Sequence, residues 1–270
     1  MFNDIYASIL LFKIAYILFI LSIFSYYDIK YRDIPDKYVW ISLSISIVLF
    51  ALSVFYYFNK YVEILVIGYI VLSLLLSTGL FTIMYFYGLI GKADVFIVSE
   101  IALLFPFIDV YDVVFYKSNI FLNLPPIIPI ILYSTLLSLV IGSFKTLFIS
   151  VKYRKLLPKE LSLCRKILLA IIGRPVRIRD FLEMKHYYPL TILEIRDNVV
   201  EKKYRFVFNV EEEDYSVYQD KYRELIKSGY VSDDEIIWVT YGVPFLVPLL
   251  FGFMLFMSIG DYPLLELFGK

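Results

Sequence analysis

Cysteine and histidine are almost missing from this chain: its 270 residues include one cysteine, Cys164, and one histidine, His186. A single cysteine excludes an internal disulfide framework and any multi-cysteine zinc site, so Cys164 reads as structural. His186 has no second histidine or cysteine cluster beside it, and it reads as structural too. Net charge is also missing, since 26 basic residues balance 26 acids, and no nucleic-acid partner is indicated. The amino-terminal stretch Met1-Phe2-Asn3-Asp4-Ile5 carries no basic residue. With no small-residue cleavage site after the first apolar run, a removable signal peptide is not expected. No internal repeat or low-complexity segment stands out.

What the chain has instead is apolar length. It is 60% hydrophobic with a mean hydropathy of +0.74, well above the apolar share of a soluble domain. Several runs reach the roughly 20 residues that cross a bilayer. They are Ile5–Phe24, Val39–Phe58, Ile64–Tyr87, Val95–Phe115, Leu124–Ile149 and Tyr241–Ile259. The fold class expected is a polytopic α-helical membrane protein with about six transmembrane helices and a small α+β cytoplasmic domain. Residues 1–150 form the membrane domain with spans one to five, 151–240 the polar domain, and 241–262 the sixth span.

Charge sets the orientation. The first loop holds Lys30, Arg32 and Lys37, and the third holds Lys92. After the fifth span come Lys152, Arg154, Lys155, Lys159, Arg165 and Lys166, whereas the alternate loops hold only Lys60, Lys117 and the terminal Lys270. The positive-inside rule puts loops one, three and five in the cytoplasm of a multi-pass protein of the cell membrane, with both termini outside.

Within 151–240, Tyr153–Ile172 reads as a basic amphipathic helix that could lie along the membrane surface with Leu156, Leu163, Leu168 and Ile171 inward. Leu190–Ile195, Tyr204–Phe208 and Ile236–Tyr241 read as strands. Tyr215–Ser228 reads as a helix stopped by Gly229. The acidic run Glu211-Glu212-Glu213-Asp214 reads as a solvated turn before that helix, although such a run could also hold a cation.

Ionisable groups in or beside membrane spans are costly, so a functional reading is their default. Asp28 follows the first span and Asp94 precedes the fourth. Two intervening spans bring both to the same face. Paired carboxylates can share one proton, which is the chemistry of aspartic proteases: one takes a proton from water and the other hydrogen-bonds the substrate carbonyl. The pair titrates as a unit and needs no metal or other cofactor. Helix dipoles favour negative charge at Asp94, near a helix start, and disfavour it at Asp28, near a helix end. The shared proton is therefore expected mainly on Asp28. Gly91 would give a tight turn into the fourth span, and Pro35 would stiffen the loop after Asp28. Lys13 and Glu100 lie at different depths, about 22 Å and about 9 Å of helix from Asp28 and Asp94 respectively. Asp109 and Asp112 are expected to meet water at the outer end of the fourth span. Asp33 and Asp36 are assigned to loop structure.

The neighbourhoods of the two aspartates carry a resemblance. Tyr27-Asp28-Ile29-Lys30-Tyr31-Arg32-Asp33-Ile34-Pro35-Asp36 resembles the first signature of type IV prepilin peptidases, an aspartate followed six residues later by Ile-Pro and then Asn or Asp. Gly91-Lys92-Ala93-Asp94 is similar to their second signature, Gly-x-Gly-Asp, with Ala93 in place of the second glycine and an unexpected Lys92 at the variable position. The absence of a tetracysteine loop and the polar domain before the last span look like the archaeal preflagellin peptidase branch. The resemblance extends over the whole chain. It implies a membrane aspartic endopeptidase of the GxGD type with Asp28 and Asp94 catalytic, supported by Tyr27, Ile34, Pro35, Gly91 and Ala93. The implied partners are the lipid bilayer and precursors of archaellin or pilin-like subunits, whose short basic leader is cut off before a hydrophobic helix. Glu211, Glu212, Glu213 and Asp214 are candidates to hold that leader. Signal-peptide-peptidase-like proteases are a weaker match, because their Pro-Ala-Leu signature is replaced by Pro244-Phe245-Leu246. Two further classes remain open. Intramembrane carboxylates, with Glu100, could serve a small cation or proton transporter, and a membrane scaffold would need neither aspartate.

Overall fold

The computed structural model describes residues 2–58, 64–88, 90–116, 124–196, 199–206, 213–241 and 245–264. The chain divides into two compact units, Met1–Ser138 with Pro244–Lys270, and Leu139–Val243.

The first unit is helical. Helix α1 (Phe2–Tyr31) and α2 (Asp36–Phe58) are joined by a short loop. Next come α3 (Ile64–Leu74), one π-helical turn (Leu75–Gly79) and α4 (Leu80–Phe86). Helix α5 (Lys92–Leu104) leads to a 3-10 segment (Ile108–Val113). Helix α6 (Ile127–Lys152) begins in this unit, and α10 (Leu246–Ile259) closes it. Among the described residues, Ile5–Tyr31, Asp36–Tyr56, Ile67–Phe86 and Ile127–Phe144 are long and apolar enough to cross a membrane, and Leu246–Ile259 is a shorter apolar helix.

Two expected spans differ. The first continues past Phe24 to Tyr31 because nothing in Ser25–Tyr31 breaks a helix, so Asp28 is helical. The fourth stops at Leu104 rather than Phe115: Pro106 disfavours helical geometry at Phe105, whose ψ is 61°. At about 1.5 Å per residue α5 is only ~20 Å long, short of the ~30 Å hydrocarbon core. Asp109 then lies in the 3-10 segment, with a buried Oδ2, rather than simply meeting water; Asp112 is exposed.

The core of this unit comes from facing apolar stripes, with Ile17, Leu21 and Phe24 of α1, Ile97, Val98 and Ile101 of α5, Ile127 and Ile130 of α6, and Leu249, Phe253 and Phe256 of α10. Gly252 lets α10 approach α6 closely: a Cβ there would lie 2.8 Å from the Ser134 amide nitrogen and 2.9 Å from the Ile130 carbonyl. Small residues serve this purpose where membrane helices touch. At one end of the bundle the buried Asp261 accepts hydrogen bonds from the Tyr111 hydroxyl and the Leu124 amide, both at 3.1 Å.

The second unit holds the rest of α6, a 3-10 turn (Arg154–Leu156), α7 (Leu163–Ile172), β1 (Arg174–Arg177), α8 (Ile178–Phe181), β2 (Tyr187–Pro189), β3 (Thr191–Arg196), β4 (Val199–Tyr204), α9 (Tyr215–Lys227) and β5 (Ile236–Tyr241). Strand β5 is central in an antiparallel sheet ordered β1-β5-β2, and β3 and β4 form a separate hairpin. Helix α9 anchors through Tyr222, whose hydroxyl donates to the Thr191 carbonyl at 2.5 Å, and Gln219, which donates to the carbonyls of Phe181 and Met184. The expected helix over Tyr153–Ile172 is confined to Leu163–Ile172, because Pro158 breaks the stretch and Ser162 restarts it as an N-cap. Its inward residue is Leu169, against Leu190 and Trp238, whereas Leu163 and Leu168 are exposed. The expected strand at Tyr204–Phe208 is instead Val199–Tyr204; residues 207 and 208 lie outside the described ones. Tyr241 belongs to β5, so the last helix starts at Leu246 rather than at Tyr241.

Candidate active site

Asp28 sits in the last turn of α1, close to where the chain leaves that helix. Its Oδ2 accepts a hydrogen bond from the Leu246 amide at the start of α10, at 3.3 Å. Its Oδ1 lies 4.0 Å from Arg32, four residues on, and both side chains are mostly buried. Arg32 takes a left-handed backbone conformation, φ 57°, as the chain turns out of α1. Tyr27 packs its ring 5.5 Å from Tyr31 and 6.0 Å from Tyr38 of α2. Ile34 is buried in the apolar core. The Pro35 carbonyl accepts the Tyr38 amide at 2.9 Å and so opens α2.

Asp94 is the third residue of α5 and is partly buried. Its Oδ2 accepts the Gly91 amide at 3.1 Å, and its own amide donates to the Gly91 carbonyl at 3.2 Å. This reciprocal arrangement is half of a capping box. Gly91 itself is extended, φ −79° and ψ 157°, so the tight left-handed turn expected there is found at Gly88 instead, φ 67°. Ala93 packs against the same core as Tyr27.

The two signature segments meet through Asp36 and Lys92, whose side chains form an ion pair of 3.2 Å. Asp36 ends the first signature and opens α2; Lys92 opens α5. The residue out of pattern in the second signature thus pairs with the last acid of the first, a role beyond the loop structure assigned to Asp36. Trp40 and Phe96 continue the α2–α5 contact with ring centroids 5.2 Å apart. The starts of α2, α5 and α10 and the end of α1 therefore gather at one end of the bundle. The start of α10 works against the dipole asymmetry expected between the two acids. Asp28 does lie near the end of α1, but α10 begins against it, so each carboxylate accepts an amide from the start of a helix.

Deeper in the bundle, Glu100 of α5 is fully buried. Its Oε2 accepts from Ser42 and, at 3.3 Å, from Ser46, one turn apart on α2. Lys13 of α1 donates to Ser53 at 3.0 Å and stands 5.6 Å over the Phe105 ring. The two ionisable groups thus use different serines of α2. Reading from sequence missed these serines, although their four-residue spacing inside an apolar span was visible.

Of the acidic run in the second unit, Glu213 is already engaged, by Arg205 at 2.5 Å and the Tyr218 hydroxyl at 2.7 Å. Asp214 caps α9 by accepting the Ser216 amide at 2.9 Å, which holds its carboxyl below the usual aspartate range. Both are thus engaged within the unit, and Asp214 is exposed; Glu211 and Glu212 lie outside the described residues. The His186 ring stands edge-on to Tyr215 at 5.4 Å. Cys164 is exposed on α7.

A bundle with several membrane-length apolar helices, followed by a small α/β unit, defines a membrane protein of mixed architecture. Residues 165–262 match the family model described as Archaeal Peptidase A24 C-terminus Type II. This likeness to the carboxyl-terminal part of a peptidase family covers 98 of the 270 residues. No curated protein matches it.

Proposed function

We propose that the chain is a membrane aspartic endopeptidase of the GxGD type, with Asp28 and Asp94 as its catalytic pair. The ion pair between Asp36 and Lys92, which joins the two signature segments, carries this reading; the archaeal peptidase match to residues 165–262 supports it. The two carboxylates share one proton. The ionised member takes a proton from water as the water attacks the scissile carbonyl. The protonated member hydrogen-bonds the carbonyl oxygen, and a proton then passes to the leaving amine. No covalent enzyme intermediate and no cofactor is needed.

The substrates are precursors of archaellin or pilin-like subunits, cut between a short basic leader and a hydrophobic helix that stays in the bilayer. The basic loops support, by the positive-inside rule, a cytoplasmic position for this end of the bundle and for residues 151–240. The test is cleavage of such a precursor by the purified full chain in lipid, beside Asp28→Asn and Asp94→Asn. Each variant should lose cleavage while remaining inserted and folded. General acid–base roles contribute about 10²–10⁴-fold each, so robust cleavage by either variant would refute the pair.

The buried Glu100 and Lys13 favour one second reading, a cation or proton path through the bundle. Ion flux in proteoliposomes without any precursor cleavage would select it.

A further inference from the structure

We infer that the outward face of α7 docks on an anionic lipid surface. This inference does not depend on the peptidase reading. Helix α7 is apolar on two sides. Leu169 and Ile172 face the Leu190 and Trp238 cluster. Gly173 closes the helix so tightly that a Cβ there would lie 2.8 Å from Leu190. The opposite stripe is Leu163, Ile167 and Ile171, spaced i, i+4, i+8 and therefore on one face. Leu168 runs alongside. Leu163 is 74% exposed, Ile167 52% and Leu168 42%. Among the described residues, none covers Leu163, Ile167 or Leu168, and Ile171 is half-buried.

Charge and chain continuity both point to a bilayer as its occupant. Between Lys152 and Ile172 there are six basic residues, Lys152, Arg154, Lys155, Lys159, Arg165 and Lys166, against one acid, Glu160. An apolar stripe edged by lysine and arginine is the composition of interfacial helices that bind anionic membranes. The unit that holds α7 also holds the carboxyl-terminal part of α6, which shares the membrane-length apolar stretch Ile127–Phe144. Along α6 the exposed apolar side chains continue through Phe144, Phe148 and Val151. The apolar surface therefore runs on from a membrane helix toward α7, with only ten residues between Lys152 and Leu163. A soluble protein partner would have to offer a matching acidic surface, whereas anionic headgroups supply that match everywhere.

The native Cys164 is exposed on α7 and is the sole cysteine, so a label there reports on this face alone. The full chain, labelled at Cys164 with an environment-sensitive fluorophore, is placed at one copy per nanodisc. The discs contain phosphatidylcholine alone or mixed with phosphatidylglycerol. In the anionic discs the emission should shift to the blue, headgroup-region spin-labelled lipids should quench it, and aqueous iodide should not. Raised salt, Arg165→Gln with Lys166→Gln, or Leu163→Ser with Ile167→Ser should reverse all three signals. Because none of the altered side chains is buried, the fold should persist, as checked by unchanged circular dichroism. Iodide access without lipid quenching in anionic discs would overturn the inference. So would shielding of equal strength in phosphatidylcholine discs, or shielding seen only when two copies share a disc, which would mark a second copy as the occupant.

Discussion

Replacing Ser42 by Ala tests whether Glu100 is held by the serines of α2. The Glu100 carboxyl is fully buried, with Ser42 and Ser46 donating to Oε2. The Ser42 carbonyl in turn accepts the Tyr16 hydroxyl of α1 at 2.9 Å, so three helices converge on this turn of α2. In a soluble protein, leaving a buried acceptor without a donor costs about 1–3 kcal/mol. Between membrane helices the measured couplings are smaller, ~0.6 kcal/mol on average and up to ~1.7, because the unfolded chain in lipid also finds partners. Ser46, at 3.3 Å, is placed to take over part of the lost bond. Ser42→Ala should therefore cost about 0.6–1.7 kcal/mol, and the Ser42→Ala, Ser46→Ala double variant more than the sum of the two singles. In a Glu100→Leu background the serine loss should cost almost nothing, since a freed serine can turn to a carbonyl of its own helix, as Ser53 does to Leu49 at 2.7 Å. Unfolding of the four proteins in one detergent gives the cycle directly. An equal cost of Ser42→Ala with and without Glu100 would refute the reasoning. Asp94 lies on the same helix, about 9 Å toward its start, so any loosening of α5 reaches the proposed site.

Gly252→Ala should destabilise the helical unit by about 1–3 kcal/mol through overpacking against Ser134 and Ile130, whereas Gly68→Ala, with open space around it, should be neutral or stabilising in the same thermal assay. Lys92→Asp should lower precursor cleavage and Lys92→Asp with Asp36→Lys should restore it; an exposed pair is worth ~0.2–1 kcal/mol, so the effect should stay within about fivefold, and a swap that fails to restore cleavage argues against the pair as an organiser. Asp214→Ala should cost about 0.5–2 kcal/mol at neutral pH through the lost helix cap. Because the folded-state carboxyl is held below its ordinary value of 3.8, that stabilisation is present above this value and fades as pH falls through the lowered one, which amide exchange in the first turn of α9 at stepped pH would reveal.

Apolar length made the membrane helices legible: the second span was expected from Val39, and α2 starts three residues earlier, at Asp36. The misread boundaries had visible causes that were given too little weight. Pro106 stops α5, and Pro158 separates α6 from α7. Strands β1 and β2 have four and three residues, too few for a periodic signal. The π-helical turn at Leu75–Gly79 had no signal either, yet it helps to set Thr78 within 2.9 Å of Ser99 on α5.

The candidate site was legible as two separate strings, and its organisation was not. Each string marks an acid beside the end of an apolar run. What joins them is tertiary. Asp36 finds Lys92 across 56 positions of sequence, and the Leu246 amide reaches Asp28 across 218. The second contact changes the chemistry most. A dipole argument built on each acid's own helix assigns opposite preferences to Asp28 and Asp94, because one ends a helix and the other begins one. Once α10 starts against Asp28, both carboxylates have an amide donor from a helix start, and the local asymmetry is offset. What divides the roles of acid and base must then include the other neighbours of each acid, and for Asp28 one of these is Arg32, at 4.0 Å. That cation favours negative charge on Asp28, while the mostly buried position of the side chain disfavours it, so the two oppose each other and the proton belongs to the proposed pair rather than to either residue.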